Sequence, residues 1–72
     1  MKIIKEKMTE ALRLKYLSEI AEAEATLSIY LTNPVGIGEH PQHLEEMDKL
    51  VEQLANAKDK LDALSQFINE NS

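Results

Sequence analysis

Both glycines and both prolines of this chain fall between residues 34 and 41, as Pro34, Gly36, Gly38 and Pro41. Glycine and proline are the strongest local breakers of regular structure. The sequence on either side is rich in Ala, Leu, Glu and Lys, the residues that lose least on entering a helix. The chain therefore reads as two helical arms and one short loop. A short loop makes antiparallel neighbours, so the expected fold is all-α, an αα-hairpin forming a single domain over residues 1–72. The pattern places a helix at about 5–32, the loop at about 33–41 and a second helix at about 42–69. With 72 residues there is no room for a second domain.

The second arm carries the cleaner pattern. Met47, Leu50, Leu54, Ala57, Leu61, Leu64 and Ile68 alternate steps of three and four, the seam of a coiled-coil heptad. Val51 and Phe67 broaden that seam, while Glu52, Asn56, Asp59 and Asp62 read as the wet face. Pro41 suits a first helical turn, where its missing N–H would be unpaired anyway. Glu45, Glu46 and Asp48 then lie near the positive end of the helix dipole.

On the first arm the apolar line runs through Ile4, Met8, Leu12, Tyr16, Ile20, Ala23, Leu27 and Tyr30. Its early steps are all four residues, so the line drifts around the helix in the sense opposite to a strict heptad. Leu14, Leu17, Ile29 and Leu31 lie off it. A hairpin offers each helix one facing surface, and this arm has apolar residues on more than one. The expected interaction residues are Leu14, Tyr16, Leu17, Ile29, Tyr30 and Leu31. The two tyrosines, on the main line, fit core packing with hydroxyls at the boundary as well as an interface anchor, a residue type enriched at binding hot spots.

Charge excludes several classes. The net charge is −5, too acidic overall for a general nucleic-acid binder, and 43% hydrophobic residues are too many for a disordered acidic tail. There is no cysteine, hence no disulfide framework and no thiolate metal site. The start, Met1-Lys2-Ile3-Ile4-Lys5, lacks the apolar run of a secretory signal, and no stretch approaches a membrane span. The −5 is unevenly spread. Residues 1–15 carry +3 (Lys2, Lys5, Lys7, Arg13 and Lys15 against Glu6 and Glu10). Residues 16–47 carry −6 with no Lys or Arg at all.

The most distinctive string is Asn33-Pro34-Val35-Gly36-Ile37-Gly38-Glu39-His40-Pro41. Together with Leu44-Glu45-Glu46-Met47-Asp48-Lys49-Leu50 and Ala57-Lys58-Asp59-Lys60-Leu61, it resembles small helical-hairpin proteins encoded by large tailed phages of marine cyanobacteria. The resemblance covers residues 15 to 66. It implies a phage setting, in the host cytoplasm or the virion, and supplies no catalytic residues. On physical grounds Asn33 before Pro34 is pushed out of the helical region, and Gly36 and Gly38 let the chain reverse. Val35 and Ile37 fit an apolar plug over the end of the hairpin better than an exposed hook.

No constellation carries chemistry. His40 and His43 could share a divalent metal, yet Pro41 between them and the lack of further ligands favour capping or solvation. Gly36-Ile37-Gly38 follows no strand and has acids beside it, which argues against phosphate binding. Glu19, Glu22 and Glu24 crowd one segment, but a two-helix chain has little cleft to raise a carboxyl pKa. Ser18, Ser28 and Ser65 lack a nucleophile context. The expectation is a non-enzymatic protein-interaction module without metal or cofactor, a structural, adaptor or regulatory subunit. Its expected partner is a second copy, giving a four-helix bundle, or a larger phage or host protein. The other readings are a nucleic-acid accessory protein touching phosphate through its basic start, and an acidic mimic inhibiting a host protein through the Glu19–Glu46 region.

Overall fold

The structure is a computed structural model describing residues 2–32 and 43–71. Helix α1 spans Lys2–Thr32 and helix α2 spans His43–Glu70. The two pack against each other as an antiparallel hairpin. The turn residues Asn33, Pro34, Gly36, Gly38 and Pro41, the apolar Val35 and Ile37, and His40 lie outside the described residues. Helix α1 starts nearer the N-terminus than the expected residue 5. No breaker stands in the first turn, and the Thr9 hydroxyl bonds back to the carbonyls of Lys5 and Glu6 at 3.1 and 3.0 Å. Glu45 and Glu46 occupy the first turn of α2, where the dipole favours acids. Its last turn closes on Asn71, whose backbone N–H reaches the carbonyls of Phe67 and Ile68 and whose side-chain amide also donates to Phe67 O.

Ala23 and Ala57 are the only hydrophobic residues buried completely among those described. Alanine at these positions lets the helices approach closely, since interaxial distance follows the size of the contact side chains. Tyr16, Ile20, Leu27 and Tyr30 of α1 and Met47, Leu50, Leu54, Leu61 and Leu64 of α2 are half-buried around them. Three polar rungs fix the register. Nearest the loop, the Tyr30 and His43 rings meet edge to face at 5.6 Å. In the middle, the Gln53 amide donates to the Glu19 carbonyl at 3.0 Å and to the Glu22 carboxylate at 2.8 Å. Toward the open end, the Lys60 ammonium lies 5.9 Å from the Tyr16 ring centroid.

Beyond that rung the seam opens. Ile4, Met8 and Leu12, the start of the apolar line, are all exposed, as are Phe67 and Ile68 opposite. The cause is geometric. A four-residue step turns the helix by about 400°, so each one rotates the line roughly 40° further round. Ile4 and Met8 have not yet come round to the side that faces α2.

The result is a rod of 53 × 17 × 15 Å in which no large side chain among the described residues is fully buried. Its radius of gyration is 16.3 Å, against about 11 Å for a compact domain of this length. It exposes 5819 Å², whereas a compact monomer of 8.2 kDa exposes about 4,500 Å².

Candidate interaction surfaces

The structure separates the residues singled out from the sequence into two groups. Tyr16 and Tyr30 lie at the seam, where their rings meet Lys60 and His43. They help hold the hairpin together. Leu14, Leu17, Ile29 and Leu31 are exposed, at 52%, 38%, 54% and 69%. Of the seam set on α2, Ala57 is buried, Met47, Leu50, Leu54, Leu61 and Leu64 are half-buried, and Ile68, in the last turns, is exposed.

Three apolar surfaces are open. The first is the open end, with Ile4, Met8 and Leu12 on α1 and Phe67 and Ile68 on α2. The second is a shallow groove on the loop half of α2, lined by Leu44, Glu45, Met47, Asp48 and Val51. The third is the side of α1 turned away from α2. Ala11, Leu14, Leu17, Ser18, Ala21, Ala25, Ser28 and Thr32 share that side at about 100° per residue, and all are exposed. None carries a charge. The Ser28 hydroxyl bonds back to Glu24 O at 2.8 Å and the Thr32 hydroxyl to Ser28 O, so the polar groups near its end are engaged by their own helix. The matching side of α2 carries Glu45, Asp48, Glu52, Asn56, Asp59, Gln66 and Glu70. The uncharged side of α1 is visible in the sequence once its 3–4 spacing is followed through Ala21, Ala25 and Ser28. The large residues alone conceal it.

Several charges are engaged within the hairpin. Arg13 grips the Glu10 carboxylate through Nε and Nη2 at 3.1 and 2.6 Å. That hydrogen bond holds the Glu10 carboxyl below its usual range and raises Arg13. Lys49 lies 3.9 Å from Glu46. Glu22 accepts from Gln53, so one acid of the long negative stretch serves the hairpin itself. Among the described residues no group of three or more His, Cys, Asp or Glu could hold a metal. No helix among them is long and apolar enough to cross a membrane. Comparisons with protein-family models, curated proteins and solved structures find no match to this chain.

Proposed function

We propose that the chain is a non-enzymatic protein-interaction module, a small helical subunit that acts by docking. The observation that carries this reading is the mismatch between seam and surface. Among the described residues no large side chain is fully buried, while twelve large hydrophobic residues, from Ile3 on α1 to Ile68 on α2, stay exposed. Contiguous exposed apolar surface on a small protein marks an interaction site. The phage-like loop string suggests where the module works, in an infected cyanobacterial cell or its virion. The first fifteen residues hold no aromatic side chain to stack on a base, which weakens the basic start as a nucleic-acid site.

The test is binding by the full chain and by a Leu14→Glu, Leu31→Glu variant whose far-UV circular dichroism is unchanged. A protein partner, its own copy included, that binds the parent chain and not the variant is the expected result. Binding to nucleic acid alone, abolished by replacing Lys2, Lys5, Lys7, Arg13 and Lys15 with Ala, would overturn the reading.

A further inference from the structure

The outward side of α1 has a charge layout that specifies an orientation for whatever covers it. Arg13 and Glu24 flank the uncharged stripe on one edge, and Lys15 and Glu22 flank it on the other, each pair separated by roughly 20° on the helical wheel. On both edges the base precedes the acid along the chain. A second α1 laid antiparallel on the stripe brings like edges together with their chain directions reversed. Base then faces acid on both sides.

We infer that the partner for this surface is a second copy of the chain, with the two α1 helices packed antiparallel about a twofold axis. This deepens the interaction-module reading and rests on it. In the register that sets Leu14 level with Ala25 of the other copy, Ser18 stands level with Ala21. Leu14 of each copy then meets Ala25 of the other, and the centre is built from small residues that admit close approach. The same register brings Arg13 within two residues, about 3 Å along the axis, of Glu24 in the other copy. Lys15 comes equally near Glu22. Arg13 has five N–H donors and Glu10 uses only Nε and Nη2, so it can serve both carboxylates. A parallel pair would set Leu14 on Leu14, leave the layer at Ala21 empty, and oppose like charges at all four positions.

The area agrees. The chain exposes 5819 Å², over a thousand more than the ~4,500 Å² of a compact monomer, and a standard interface takes roughly 800 Å² from each partner. The contact is isologous and closes on itself, so it gives a dimer and no fibre.

Sedimentation equilibrium of the full chain at micromolar to submillimolar concentration reads the outcome. The expected mass is twice the 8.2 kDa of one chain. Ala21→Glu, which sets two carboxylates near the axis, is expected to return the mass to that of one chain with helix content intact. Arg13→Glu and Glu24→Arg each weaken the dimer, and the double variant restores it. Because the chain has no cysteine, Ala21→Cys is expected to oxidise to a covalent dimer while Ser28→Cys does not. The inference is overturned by a single-chain mass for the parent, by an unaffected Ala21→Glu, by equal cross-linking at both cysteines, or by a double charge variant no better than the singles. A monomer that still binds another protein through Leu14 and Leu31 refutes self-association and leaves the module reading standing. A monomer that binds no protein refutes both.

Discussion

Ala57→Leu tests the central claim about packing, that α2 comes close to α1 where it carries a buried alanine. Ala57 has 0% of its surface exposed, so the three added carbons have no solvent to enter. If the seam could absorb them, each would contribute about 0.8 kcal/mol of burial. The structure leaves no space for that. The leucine must push α1 and α2 apart, which uncovers the half-buried Leu54, Leu61 and Ile20 nearby. Overpacking of this kind typically costs about 1–3 kcal/mol net. In a domain of this size each kcal/mol lowers the melting temperature by about 4–8 °C. Ala55→Leu is the control, on the same helix and one turn-half away, but exposed. It is expected to stay within about 0.5 kcal/mol of the parent. Both variants are melted at one protein concentration, followed by circular dichroism at 222 nm (the usual helix band), so that any association contributes equally. If Ala57→Leu melts with Ala55→Leu, or above it, the seam is not close-packed at this layer and the register drawn from the three rungs is wrong.

Other perturbations probe separate parts of the hairpin. Leu54→Asp puts a charge into the seam and is expected to abolish the cooperative thermal transition; an unchanged melt would refute the heptad reading of α2. Gln53→Met keeps the side-chain length but removes both donated bonds, and is expected to cost about 0.5–1.5 kcal/mol in urea unfolding. Arg13→Ala should let the Glu10 carboxyl rise toward its ordinary value, seen by NMR titration of its side chain. The sign follows from linkage. A carboxyl lowered in the folded chain stabilises it above the unfolded pKa, and that small contribution disappears as pH falls through the folded value, so the parent should lose it on acidification and Arg13→Ala should have none to lose.

The two-helix architecture was legible because its determinants are local. Breakers confined to one segment divide the chain, and the strict 3–4 spacing from Met47 to Leu64 names the side of α2 that meets α1. What escaped was set by pairing between the arms. The four-residue spacing of Ile4, Met8 and Leu12 shows that the line drifts, but which part of it meets the seam follows only from the rotation fixed further along by Tyr16 against Lys60 and Gln53 against Glu22. Tyr16 and Tyr30 fitted core packing and an interface anchor about equally, because a tyrosine on an apolar stripe has the same signature whether it meets the other arm or a partner. Gln53 was overlooked because a polar residue flanking a seam is ordinarily solvated.

The contrast between the outward sides of the two helices bears on why so thin a fold is usable. A helix whose only task is to cover its neighbour can carry charge on every other position, as α2 does with Glu45, Asp48, Glu52 and Asp59. Helix α1 has the same exposure, yet keeps its outward side uncharged from Ala11 to Thr32. Solubility alone favours charges there, since uncharged exposed faces invite association. Their absence over so long a stretch, bounded by bases at one end and acids further along on both edges, is what the proposed pairing with a second copy accounts for. Under that proposal helix α2 presents the surface: its seam holds one side of α1, and Gln53 bonds to Glu19 and Glu22, beside the acids that flank the stripe.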